Sequence, residues 1–417
     1  MKDQVTVYSF KDLADSLYYN DDETLHKFCE NIKFSDGRYQ VVWPWKQQQF
    51  CLDANYILAL KRLKSLVNRL QHDPELLQKY SNIINRQVHK GIIETADNFT
   101  SSGTRSHYLP HHPVLTPSKS TTKVRIVYDA SAKVQRNSSS LNECLHRGPT
   151  ILPDLIGLLI RFRLHWIVVL ADIEKAFLQI GIQEFERDVI RFLWLKHLDR
   201  PVNDDNLIVY RFCGVPFGLT CSPFLLAATL KYHLQKEGTP LAMKIMNNIY
   251  VDNLLIGIKS SEEAFIVYQE AKSIFRRASM NLREWNSNSN EFLNGLPVEE
   301  RVNAVSDELK VFGLKWNKIS DVLHMSGVGK APSSNFVTKR DVLHTVAGIF
   351  DPLGLITPVT YYGRVFLQTL WKLDISWDDP LPDNLVKDWN RVLSVLTSIP
   401  CLSIPWFVGN QNGGVCQ

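Results

Sequence analysis

NNIYVDNLLIG, residues 247–257, decides how this chain folds and what chemistry it can carry. Apolar residues run into Tyr250-Val251, an acid follows at Asp252, and apolar residues resume at Leu254. That pattern reads as two strands joined by a tight turn with the acid at its tip, a hairpin over 245–258. Two adjacent acids at such a tip would suit a pair of divalent cations. Here the second position is the amide Asn253.

Working outward, WIVVLAD (166–172) is an apolar, strand-like run that ends in Asp172. Leu207–Phe212 has the same quality. Ser222-Pro223 opens a helix that closes at Gly238. Ser260-Glu262-Glu263 resembles a capping box before a helix over about 261–280. Strand, helix, hairpin and helix around two separated aspartates describe an α+β sheet with helices on one side, the architecture of a polymerase palm. Neighbouring strands can bring Asp172 and Asp252 together. Strand ends and turns also carry Asp for purely structural reasons.

Further out, Ile57, Leu60, Leu63, Val67 and Leu70 recur at helical spacing. Asp73-Pro74 caps a second helix that Gly91 closes. Lys61, Arg62, Lys64, Arg69, Lys79, Arg86 and Lys90 decorate both, as a solvated face or a nucleic-acid track. KVRIVYDAS (123–131) alternates like a strand, SLNECLHRGP (140–149) reads as a loop, and 153–159 as helix. LKVFGLKWN (309–317) reads as a strand, TKRDVLHTVAGIF (338–350) as a helix, and 361–373 as a last helix. HYLPHH (107–112) gathers His107, His111 and His112 without Cys or acid partners, which reads as structural rather than metal-binding.

The chain has 417 residues, 45% hydrophobic and 22% charged, with a formal net charge of +4. These values describe a globular chain with room for several domains, and they fit a nucleic-acid binder with a local basic channel without arguing for one. The cysteines at 29, 51, 144, 213, 221, 401 and 416 have no zinc spacing, which suits reduced thiols and an intracellular location. MKDQVTVYSFKDL has no apolar signal core, and LIGLLIRFRLHWIVVLA is interrupted by Arg161, Arg163 and His165, so no membrane partner is expected.

The motifs together resemble the reverse transcriptase region of BEL/Pao-type LTR retrotransposon polyproteins. GRYQVVWPWK (37–46), VRIVYDASAK (124–133) and SLNECLHRGP (140–149) look like its upstream and finger segments. LADIEKAFLQI (170–180) resembles the first catalytic motif, YRFCGVPFGLTCSPFLL (210–226) the nucleotide-site segment, and YVDNLLIG (250–257) the YVDD motif. LREW (282–285), VFGLKWN (311–317) and TKRDVLHTVAGIFDPLGLITPV (338–359) complete the ordered set.

The resemblance implies a right-hand polymerase fold: fingers, a palm with a ferredoxin-like split βαβ sheet, and a thumb or connection remnant. It divides the chain into an N-terminal helical extension (1–95), fingers and palm (96–285), palm end, primer grip and thumb (286–335), and a connection-like segment (336–417). It implies two Mg2+ ions, with Mn2+ as a substitute, on Asp172 and Asp252, deoxynucleoside triphosphates as substrates, and a primed RNA or DNA template. Arg125 and, less directly, Lys123 would grip the triphosphate. Phe177 would be a steric gate against a 2′-hydroxyl, or a core ring on a strand. Phe217, Gly218, Leu219, Ser222 and Pro223 would shape the nucleotide pocket. Tyr250 would stand beside the primer end, or be plain core. Phe312, Gly313, Leu314 and Trp316 would form a primer grip, or a sheet edge packed by aromatics.

Asn253 departs from the family, which carries Asp there. An amide offers one neutral oxygen, so reduced polymerisation is expected without loss of fold. The family polyprotein has a protease upstream and an RNase H and integrase downstream. The chain reads as a piece that stops before the RNase H, since only Asp383 and Asp388 supply acids after 380. A catalytically silent nucleic-acid-binding or domesticated interaction module is the competing reading.

Overall fold

A computed structural model describes residues 10–46, 52–96, 105–115, 124–302, 308–325, 336–397 and 402–408. It is a mixed α/β structure with several small sheets. Contacts divide the chain into two compact units, 1–152 with 173–252 and 270–282, and 153–172 with 253–269 and 283–417.

In the first unit, the helix Phe10–Asn31 leads into a hairpin, Lys33–Ser35 against Arg38–Val41, turned at Asp36-Gly37. The helices Tyr56–Leu70 and Pro74–His89 form where the apolar spacing predicts them. The Asp73 side chain accepts from the Leu76 amide at 3.0 Å, which satisfies one of the free donors at the helix start. Ile93–Thr95, Leu207–Phe212 and Arg191–Leu195 make an antiparallel three-stranded sheet. His111–Leu115 and Val124–Tyr128 form a separate antiparallel pair.

Aromatic packing centres this unit. Tyr128 lies edge-on to Phe192 at 5.0 Å and to Phe212 at 4.8 Å, and Tyr80 lies 5.0 Å from Trp194. His111 is buried among these rings. Its nitrogens meet the Tyr80 hydroxyl and the Leu193 carbonyl, and burial pushes its pKa down to about 4. His107 is buried and bonds the Asp53 carbonyl. Both rings are packed within the core.

A second, partly buried layer is ionic. Arg211 bonds Glu94 at 2.7 Å and Asp188 at 3.0 Å, Arg191 pairs with Asp188, and Arg187 with Glu94. Burial raises the Glu94 carboxyl, but Arg187 and Arg211 more than offset it and hold it low. The helix Ser222–Glu237 ends at Gly238 (φ 64), and the short helix Pro240–Met246 follows. The hairpin expected over 245–258 therefore begins only at Ile249–Tyr250, because Thr239 and Pro240 start a helix first.

In the second unit, Ile167–Ile173 lies between Asn253–Ile258 and Leu282–Ser287. The first pair is antiparallel, with Ile258 against Ile167 and Asn253 against Asp172. Gly257 is required here, since an added Cβ would fall 2.1 Å from the His165 ring. The helix Ser261–Arg277, of which residues 261–269 belong to this unit, starts where Ser260 Oγ accepts from the Glu263 amide. The stretch 309–317 is two strands rather than one: Phe312 (φ 49) and Gly313 (φ 88) turn Glu308–Val311 back onto Leu314–Asn317. Val322–Met325 and Leu402–Pro405 extend that sheet. The helices Lys339–Ala347, Thr357–Trp371 and Asp383–Thr397 pack around Val342, Phe366, Leu370, Trp389 and Leu396.

Candidate functional site

Asp172 is the penultimate residue of its strand, and its side chain is 27% exposed. Its Cα partner across the ladder is Asn253, the first residue of the next strand and solvent-exposed. Asp252 immediately precedes Asn253 in the chain. Its carbonyl accepts from the Ile173 amide at 2.9 Å, so the last backbone bond of the turn is made at the acid. Val251 is held at φ 59, a conformation that β-branched residues rarely adopt. Such strain gathers where a turn must hold one geometry. Tyr250 is half-buried in the short strand Ile249–Tyr250.

Arg283 was not assigned a role by sequence. Its Nε stands 3.7 Å from Asp172 Oδ2. The signal was present in LREW, a lone cation in a strand next to one that ends in an acid. Among the described residues no group of three or more His, Cys, Asp and Glu side chains could hold a metal.

In the first unit, Phe177 lies in the short helix Ala176–Gln179, not on a strand, and is largely buried. Its ring centroid is 4.7 Å from that of Phe217, which is 55% exposed. The exposed ring of the pair is thus Phe217. Gly218 has φ 99, and an added Cβ would fall 2.9 Å from the Tyr128 carbonyl, so only glycine fits. Asn142, which sequence reading also missed, fastens this loop. Its amide donates to the Gly218 carbonyl at 3.1 Å and its oxygen accepts from Thr220 N at 2.8 Å. Asn142 sits in the short helix Leu141–Cys144, in a segment read as loop; Ser140 and Glu143 cap it reciprocally.

Ser222 is buried, and its hydroxyl donates to the Pro216 carbonyl at 2.9 Å. It shapes the 216–222 loop from within, while Pro223 is exposed at the helix start. Leu219 is buried under the same loop. Arg125 is exposed on Val124–Tyr128. Lys123 lies outside the described residues.

Of the expected primer-side group, Phe312 is half-buried and Gly313 exposed at the turn, while Leu314 and Trp316 are buried. Trp316 packs against Phe162 and Trp406, and its indole N–H donates to Asp321 at 3.2 Å. A fully buried ring with its N–H satisfied has no face left for a nucleic acid. Phe312 and Gly313 at the turn are the accessible members of the group.

Residues 121–287 match the family model for reverse transcriptase (RNA-dependent DNA polymerase). That segment holds the Asp172–Asn253 ladder and the Phe217–Gly218 loop, and it is a reverse transcriptase domain. Residues 338–413 match the Pao retrotransposon-like RNaseH-like domain. With both matches in this order, the chain belongs with the reverse transcriptase regions of BEL/Pao-type retrotransposons. No curated protein matches the chain. The segment read as connection-like from sequence is the one that the second model describes as RNaseH-like. A reverse transcriptase domain implies nucleic-acid templates and nucleotide substrates in general. No helix among the described residues is long and apolar enough to cross a membrane.

Proposed function

We propose that the chain is an RNA-directed DNA polymerase domain whose nucleotidyl transfer is greatly reduced by Asn253. The register that sets Asn253 against Asp172, with Asp252 the residue before it, carries this reading. In it, the three strands around Asp172 are the palm. The sheet of Arg191–Leu195 and Leu207–Phe212, with the hairpin of Val124–Tyr128, belongs to the fingers. The segment 286–335 leads from primer grip to thumb.

Asp172 and Asp252 offer carboxylate oxygens and Asn253 one amide oxygen, all hard donors that suit Mg2+ or Mn2+. Asp172 and Asp252 would hold such ions, which would supply a lowered pKa at an attacking 3′-hydroxyl and stabilise the negative charge that develops on departing pyrophosphate. The chain's own residues do the positioning. Arg125 takes the triphosphate with a planar fork of donors. Phe217, the exposed ring, backed by the buried Phe177, presents an aromatic wall to the sugar. Gly218 lets backbone approach the nascent pair, and the Phe312-Gly313 turn steadies the primer strand.

An amide in place of the third carboxylate lowers the negative charge that two divalent ions and a triphosphate require. A loss of ~3–5 kcal/mol of transition-state stabilisation slows the step by roughly a hundred to several thousand-fold. Asn253 also favours a second reading, a silent module that binds primed template without extending it. Primer extension on an RNA template by the parent and by Asp172→Asn, in Mg2+ and in Mn2+, separates them. Slow extension that Asp172→Asn abolishes supports the polymerase. Salt-sensitive binding with no extension in either metal supports the silent module.

A further inference from the structure

We infer that Arg283 is a built-in counter-charge to Asp172 that competes with divalent cations for its carboxylate. The inference rests on reading Asp172 as a metal-binding residue, and its test separates the two.

Arg283 stands in the strand Leu282–Ser287, the neighbour of the strand that bears Asp172. Its Nε lies 3.7 Å from Asp172 Oδ2, close enough for charge attraction and too far for a hydrogen bond. That Nε is buried and has no hydrogen-bond partner. A second guanidinium nitrogen is 3.4 Å from Glu284 Oε1. Glu284 is held at φ 54, which interrupts the pleat immediately beside Arg283. Trp285, fully buried edge-on to Tyr268 at 4.9 Å, anchors the strand on the other side. Arg283 is therefore fixed to a rigid element rather than trailing from a loop.

A guanidinium cannot shed its proton at working pH, so its charge beside Asp172 is permanent. A doubly charged cation that approaches Asp172 meets this charge at close range. It must displace Arg283 or bind against it. In a set with three carboxylates one fixed cation is a modest offset. With Asn253 in the third place, the two remaining carboxylates carry Arg283 as a proportionally larger one. An unpartnered buried Nε also costs free energy that closer approach to the carboxylate would recover.

The test is Mn2+ binding to the full chain, read by the loss of the free-ion signal in electron paramagnetic resonance, without any turnover. Arg283→Gln is expected to tighten binding by roughly three- to thirty-fold, more at low salt than at high. Arg283→Lys, which keeps the charge, stays near the parent. Arg283→Met, with a stem of similar length, serves if the glutamine variant melts early. The gain should vanish when Asp172→Asn is added. Parent-like affinity in both uncharged variants, or a gain that survives Asp172→Asn, overturns the inference. If Asp172→Asn weakens binding but removing the guanidinium does not strengthen it, only the counter-charge fails. If Asp172→Asn leaves Mn2+ binding unchanged, the metal reading of Asp172 fails and takes the inference with it.

Discussion

Asn253 and Asp172 are Cα partners in one antiparallel ladder, each at or next to the end of its strand. The pairing fixes which residue follows the tip acid into the sheet, and that residue is an amide. A one-residue slip would move every side chain of the strand to the other face. Leu254, Leu255, Ile256 and Ile258 are buried on both faces, and Gly257, the one position where a Cβ would meet the His165 ring, opposes such a slip.

The aromatic pair Phe177–Phe217 yields the first prediction. If the Phe177 ring backs the wall that meets the sugar, Phe177→Ala admits ribonucleotides. The ratio of deoxynucleotide to ribonucleotide incorporation should fall by at least ten-fold, measured in the Asn253→Asp background where rates are readable. An unchanged ratio would make Phe177 a packing residue alone.

Trp316 separates packing from primer contact. Its ring is fully buried and its N–H donates to Asp321. Trp316→Ala should cost about 3–5 kcal/mol of stability in denaturant unfolding. Primer affinity per folded molecule should stay within a few-fold of the parent. Phe312→Ala, at the turn, should do the reverse.

Glu186 carries a pH signature. Burial pushes its carboxyl up to about 7, although the Trp45 indole N–H and the charge of Arg105 oppose the shift. A carboxyl raised in the folded state stabilises the fold below its unfolded value, 4.5, and loses that contribution as pH climbs through about 7. Glu186→Gln keeps an acceptor for Trp45 without the charge. It should flatten the fall in stability between those two pH values and raise stability at pH 8 by on the order of 1–3 kcal/mol. Thermal melts across that range in both proteins check it. Parallel profiles would contradict it.

Much of the fold was legible in sequence because local signals agreed with it. Asp73-Pro74 capped a helix, and the apolar spacing over 57–70 gave its buried face. The strand ending in Asp172 and the turn at Asp252 were legible from apolar runs broken by an acid. RFLWL, 191–195, escaped because a strand buried on both faces has no alternation to read. The helix Phe10–Asn31 escaped because its acids and aromatics follow no clear period. Phe312 adopts a left-handed conformation that its residue type does not advertise, so two strands read as one. At the site, the acids announced themselves. Arg283 and Asn142 did not, because each acts on a partner remote in sequence.

The proposal that the amide opposite Asp172 limits nucleotidyl transfer has a direct kinetic test. The most direct measurement is the single-turnover primer-extension rate on an RNA template in Mg2+, for the parent, Asn253→Asp, and Asn253→Asp with Asp172→Asn. Restoring the carboxylate should raise the rate about a hundred-fold or more, and removing Asp172 should abolish the gain. Equal rates for parent and Asn253→Asp, or a gain that survives without Asp172, would contradict it.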